Sequence, residues 1–127
     1  MSTSQVHSLD QLNTAFAERF NARDIDGLMA LNVPDAVFVP APGRPVTGPE
    51  DVRSALEQFL SLNLPITMTV HRVFQSGNTG LAIAAWTIEG TGPDGSSVNL
   101  TGTTADVATY DENHGWRYVI DNPFGTA

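Results

Sequence analysis

The hydrophobic pattern changes period near the middle of the chain, and that change restricts the fold more than any other feature. Up to Pro65, apolar residues recur three and four positions apart, the spacing of one face of a helix. Beyond it they alternate with polar residues, the spacing of one face of a strand. Helices first and strands afterwards, linked by short turns, predict an α+β layout: helices packed on a curved, mainly antiparallel sheet. The 127 residues suffice for one domain with its own core, and no repeat or linker divides residues 1–127.

The helical half carries start and stop signals. Ser8-Leu9-Asp10-Gln11 fits a capping box and is expected to open a helix whose stripe is Leu9, Leu12, Phe16 and Phe20. Asp24 is placed to cap a short second helix containing Ile25, Leu28, Met29 and Leu31, which Pro34 is expected to stop. Ala36 to Val39 reads as a short strand. Thr47-Gly48-Pro49-Glu50 reads as a further capping box, with Val52, Ala55, Leu56, Phe59 and Leu60 as the buried stripe of the helix that follows.

In the alternating half, Ile66 to Gln75 puts Ile66, Met68, Val70, Arg72 and Phe74 on one face. Turns at 76–80, 90–96 and 111–115 then separate three more strands, an antiparallel meander. The strand from Leu100 to Tyr110 holds the main candidate for a functional group. Its more apolar face carries Leu100, Gly102, Thr104, Asp106, Ala108 and Tyr110, so a carboxylic acid faces the core. A buried acid costs free energy unless it is paired, hydrogen-bonded or kept protonated.

Charge and motifs remove several function classes. The net charge is −8 and the chain has no lysine, so nucleic acid and anionic membrane surfaces are not expected partners. Without cysteine there is no disulfide or thiolate metal site, and the redox compartment stays open. Neither a basic leader nor an apolar run of about 20 residues is present, which predicts a soluble, cytoplasmic protein. His7, His71 and His114 show no ligand spacing, so no metal or other cofactor is expected. Gly90-Thr-Gly92-Pro-Asp-Gly95 matches a dinucleotide fingerprint literally, but Pro-Asp-Gly leads into a strand and reads as a hairpin turn. Asn99-Leu-Thr101 is a glycosylation sequon without a secretory context.

Three polar residues share otherwise apolar strand faces: Asp106, Arg72, and Asn122 beside Trp116, Tyr118 and Ile120. Trp86 is expected on the same lining. Two readings remain open. Aromatic walls with convergent polar groups describe a small-molecule pocket, and an Arg72–Asp106 pair describes a structural ion pair.

Asn21-Ala-Arg-Asp-Ile-Asp-Gly-Leu-Met-Ala-Leu, Pro34-Asp-Ala-Val-Phe-Val-Pro40 and Gly48 resemble the N-terminal half of the NTF2-like superfamily, which includes ketosteroid isomerases and SnoaL-like cyclases. Leu62-Asn-Leu-Pro65, the Asp106 strand and the closing Gly115-Trp-Arg-Tyr-Val-Ile-Asp-Asn-Pro-Phe-Gly125 extend the likeness over nearly the whole chain. The closing motif is most similar to the DUF4440-type SgcJ/EcaC group. The resemblance implies an NTF2-like (cystatin-like) cone-shaped barrel, a pocket between helix and sheet, and a homodimer formed through the sheet. It also implies that Asp106 matches the oxyanion-hole aspartate of ketosteroid isomerase. Phe16 stands in place of the tyrosine donor and Val39 in place of the general base, so classical steroid isomerisation is not expected. The implied ligand is a small apolar molecule, with Asp106 or His71 handling a proton next to a carbonyl in an isomerase-, cyclase- or dehydratase-like step. Arg72 and Asn122 would assist, and Phe16, Phe20, Phe38, Trp86, Trp116 and Tyr118 would form the walls. The alternative is a non-catalytic ligand-binding or dimerisation module.

Overall fold

The computed structural model describes residues 4–127. A 3-10 turn, Leu9–Gln11, leads into α1 (Leu12–Asn21), then α2 (Ile25–Met29), β1 (Asn32–Phe38), β2 (Val46–Thr47) and α3 (Pro49–Leu60). Five strands follow: β3 (Ile66–Ser76), β4 (Thr79–Thr91), β5 (Ser97–Thr103), β6 (Asp106–Asp111) and β7 (Gly115–Asp121). They form one sheet in the order β2-β1-β7-β6-β4-β3, with β5 on the β6 side of β4. Every pair is antiparallel except β1 with β7. The architecture is the expected α+β one, but the barrel is not closed: among the described residues β2 and β3 are the edges of the strand order.

The helix starts differ from expectation. Neither capping box forms. Ser8 spends its hydroxyl on the Asp10 carboxylate rather than on a backbone N–H, and the first turn is 3-10. Thr47 belongs to β2, and the residue that precedes α3 as its N-cap is Gly48, whose φ of 89° suits a residue without a Cβ. Asp24 does cap α2, accepting from the Gly27 N–H at 2.9 Å. Pro34 lies inside β1, where the pairing with β7 is irregular between Asn32 and Val37.

The stretch expected as one long strand is two, β5 and β6, that keep a single register along β4: Thr103 opposite Ala85, Asp106 opposite Ala82. At the break the Thr104 hydroxyl accepts from the Ala84 N–H at 3.0 Å, and the Thr104 N–H donates to the Ala84 carbonyl at 2.7 Å. Because the register is kept, so is the alternation: Thr104, Asp106 and Ala108 all face the core.

Two β-bulges overturn the alternation elsewhere. Along β3, Val70 is opposite Ala84 but Arg72 is opposite Ile83, leaving His71 as the extra residue. An extra residue exchanges the faces beyond it. Val73 therefore turns inward and Arg72 and Phe74 outward, Phe74 with 55% of its surface exposed. In β7, Tyr118 is opposite Ala108 but Ile120 is opposite Val107, leaving Val119 as the extra residue. Ile120 turns out and Asp121 turns in.

The core has two parts. Val6, Leu9, Leu12, Leu31, Ala108, Trp116 and Tyr118 pack one end. Phe20, Leu28, Phe38, Leu56, Trp86, Ile88 and their neighbours pack the other. Phe16 packs against both.

Candidate functional site

The polar group that interrupts this core is assembled by α1, β6 and the end of β7. Asp106 opens β6 with no exposed surface. Asn13, in the first turn of α1, donates through Nδ2 to Asp106 Oδ2 at 2.9 Å. The backbone N–H of Asn122 donates to Asp106 Oδ1 at 2.8 Å. Burial pushes the Asp106 carboxyl up to about 6, against the downward pull of these two donors.

Asp121, swung inward by the Val119 bulge, stands beside it. Burial, then the charge of Asp106 and the hydrogen bond the two carboxyls share, push Asp121 well above the usual carboxylate range. Both oxygens of Asp106 already accept N–H donors, so the proton held between the two acids sits on Asp121 and Asp106 is the ionised partner near neutral pH. Burial and the same two acids also hold the Tyr118 phenol well above its ordinary value, so it stays protonated.

The cavity next to this group measures about 30 Å³, space for about two waters. Phe16, Phe20, Phe38, Phe59, Met68 and Trp86 are among its apolar walls, and Asn13, Thr104, Tyr118 and Asp121 supply its polar surface. Asp106 itself does not line it. The acid in contact with the space is Asp121; Asp106 stands behind it.

Thus Asp106, Phe16, Phe20, Phe38, Trp86 and Tyr118 come together as the sequence suggested. Phe16 meets Phe20 at 6.0 Å and Tyr118 edge-on at 6.2 Å between ring centres. Others do not join them. His71 and Arg72 are exposed, because the bulge at His71 turns Arg72 away from the core, and no ion pair joins Arg72 to Asp106 among the described residues. Trp116 packs at the opposite end, tilted on Tyr110 at 5.6 Å. Asn122 contributes only its backbone; its side chain holds the closing turn through Gly125 O at 2.9 Å and Phe124 N at 3.3 Å. That turn lies over Trp86, whose indole N–H donates to the Pro123 carbonyl at 2.6 Å. Gly102 is what admits it, since a Cβ there would stand 2.7 Å from the same carbonyl.

Asp121, Asn13, Phe59 and Met68 are absent from the sequence-derived site. Asn13 carried a legible signal: it is three residues before Phe16 and seven before Phe20, so it shares their helix face. Asp121 carried none, for nothing in Trp116 to Asp121 marks the bulge. Among the described residues no group of three or more His, Asp or Glu is arranged to hold a metal ion, and no helix is long and apolar enough to cross a membrane. A larger open depression of about 880 Å³ runs along the N-terminal segment. Its buried cation, Arg19, is committed to the Gly27 and Ser4 carbonyls at 2.7 and 2.6 Å, and neither Asp106 nor Asp121 lines the depression.

The fold has many solved relatives. A ketosteroid isomerase-like protein from Erwinia carotovora superposes with a TM-score of 0.77 at 17% identity over 89% of each chain. An NTF2-like superfamily protein from Salmonella enterica gives 0.76 at 18% identity over 94% of this chain and 89% of that one. A candidate dehydratase of the NTF2-like family from Streptomyces avermitilis gives 0.72 at 20% over 87% and 88%. At these identities the likeness establishes the fold alone. No curated protein matches the sequence. The SnoaL-like domain model matches residues 13–117, from the asparagine that holds Asp106 to the middle of β7, and the chain belongs to that family within the NTF2-like superfamily.

Proposed function

We propose that the chain binds a small, neutral, carbonyl-bearing molecule beside Asp121, and that the Asp106–Asp121 pair moves a proton next to that carbonyl. The carboxyl pair carries this reading. Two acids are buried side by side in apolar surroundings, and one of them lines a cavity. Packing alone gains nothing from such a pair, since well-packed apolar residues are commonly as stable or more so. Perturbed acids gathered at a cavity are the usual mark of proton chemistry.

The chemistry follows from where the shared proton sits. That proton rests on Asp121; when it crosses the shared hydrogen bond to Asp106, Asp121 becomes a carboxylate and accepts a proton from the carbon adjacent to the carbonyl. The electron pair of that C–H bond moves into the enolate, and the Tyr118 hydroxyl is the donor for the enolate oxygen. The pair then holds two protons. Asp121 returns one to the far carbon of an enolate extended by a double bond, which moves that double bond, or to a hydroxyl on the carbon β to the carbonyl, which departs as water. The cavity of about 30 Å³ lies far below the several hundred of ordinary ligand sites, so Phe59 and Met68 must shift on binding. Deuterium exchange at the carbon next to the carbonyl of acetone or cyclopentanone tests the proposal. The protein should accelerate exchange on the order of a hundredfold, and Asp121→Asn should abolish the gain; no acceleration by the native chain would end this reading.

A second reading concerns assembly and rests on a separate observation. Phe74, Leu81, Val107, Ile120 and Val37 are consecutive cross-strand partners on the outer face of the sheet. This apolar row spans β3, β4, β6, β7 and β1, and a second copy of the chain is the partner proposed for it.

A further inference from the structure

The cavity presents one polar atom that the carboxyl pair leaves unused. Asn13 is 1% exposed, and its Oδ1 is buried without a hydrogen-bond partner. Its orientation is set by chemistry: Nδ2 donates to Asp106 Oδ2 at 2.9 Å, whereas the flipped amide would oppose two acceptors. A buried amide oxygen favours a ligand that brings it a donor over one that does not. Two donors on the wall are already engaged, and the Tyr118 hydroxyl is the one assigned to the carbonyl. The Trp86 N–H is taken by the Pro123 carbonyl, and the Thr104 hydroxyl sits against the Ala82 carbonyl at 3.3 Å.

We propose that Asn13 Oδ1 is a specificity-determining acceptor, and that the molecule bound beside Asp121 is an α-hydroxy carbonyl compound whose hydroxyl donates to Asn13. The inference rests on the ligand reading given above and narrows it. Asn13 and Asp121 both meet the Asp106 carboxyl and both line the same small cavity, with Tyr118 beside them. In a cavity this small the two oxygens of the ligand belong on adjacent carbons, with the hydroxyl on Asn13 and the carbonyl toward Tyr118. The hydrogen-bearing carbon of the C–OH group then faces Asp121. A simple ketone leaves Asn13 Oδ1 unpaired, and a methyl ether in place of the hydroxyl brings no donor and a clash.

Binding of hydroxyacetone, acetone and methoxyacetone to the intact chain, followed by NMR titration, tests this. Hydroxyacetone should bind roughly tenfold or more tightly than either analogue, and Asn13→Ala should collapse that ratio. Equal affinities for all three, lost in Asp121→Asn, would overturn the role of Asn13 and leave the carbonyl reading standing. A ratio that survives in Asn13→Ala would likewise remove Asn13. Failure of every ketone to bind the native chain would remove both proposals. If Asn13→Ala does not fold, the ratio measured on the native chain decides.

Discussion

Asp121 is the residue on which the site turns, and its energetics run opposite to those of an ordinary surface carboxylate. Its folded-state pKa is raised, as is that of Asp106, so between the unfolded value of about 4 and the folded values the native state binds more protons than the unfolded one. Their contribution is therefore fully favourable below about pH 4 and is lost as pH rises through about 6 for Asp106, and higher for Asp121. Asp121→Asn keeps the size and can still donate to Asp106, but removes the second acid. Relative to the native chain, the variant should gain about 2 kcal/mol of unfolding free energy as pH rises from 4.5 to 8, read from urea midpoints. A gap that stays constant with pH would mean the two carboxyls do not share a proton. The partner substitution behaves differently: Asp106→Asn leaves an amide against the Asn13 Nδ2 and Asn122 N–H donors and should cost about 1–3 kcal/mol. Asp106 could be read in the sequence because its strand alternates without interruption up to the acid. Asp121 could not, because its inward direction depends on one inserted residue, Val119, that has no chemical mark.

Bulges are also what separates the elements read correctly from those misread. The stripes of α1 and α3 and the hairpin at 92–96 follow local chemistry, and they are where the sequence puts them: the Gly92 N–H donates to the Ser96 carbonyl at 2.8 Å. The faces of β3 and β7 obey alternation only as far as His71 and Val119. The helix starts were misread for a different reason. Ser8 found a nearer partner in Asp10, and Thr47 was drawn into pairing with Val37, so neither side chain was free to cap. The bulge at His71 makes a specific expectation possible. Removing that residue joins Val70, which faces in, to Arg72, which faces out, so every later side chain keeps its present face. The chain lacking His71 should fold with Phe74 still exposed, less stable by about 1–2 kcal/mol from the lost bend. Thermal melting and the NMR shift of the Phe74 ring read this out. Burial of Phe74 in that variant would show that the bulge does not set the faces. Retention of ketone binding by the same variant is expected too, as His71 is remote from Asp121.

For the whole molecule, the two bulges act together. Each turns one large apolar residue out of the core, Phe74 at 55% and Ile120 at 37% exposure, and both fall in the same cross-strand row with Leu81, Val107 and Val37. A lone exposed phenylalanine needs no explanation; a row of five aligned apolar residues across five strands does. The row also lies on the face of the sheet opposite the cavity, so a partner seated there leaves the space beside Asp121 untouched. A second copy is the occupant consistent with the charge. At −8 the chain repels itself at long range, yet no acidic residue stands in the row, so the apolar contact forms without burying a carboxylate. Sedimentation at rising concentration should show a dimer, and the midpoint of thermal unfolding should rise with concentration, as linkage between association and folding requires. Ile120→Lys sits inside the row, between Val107 and Val37, where a charge cannot be desolvated cheaply. It should yield a monomer whose intrinsic fold changes by about 0.5 kcal/mol or less, with the cavity and its carboxyl pair intact. A native chain that sediments as a monomer at every concentration would leave the row without a partner of its own kind.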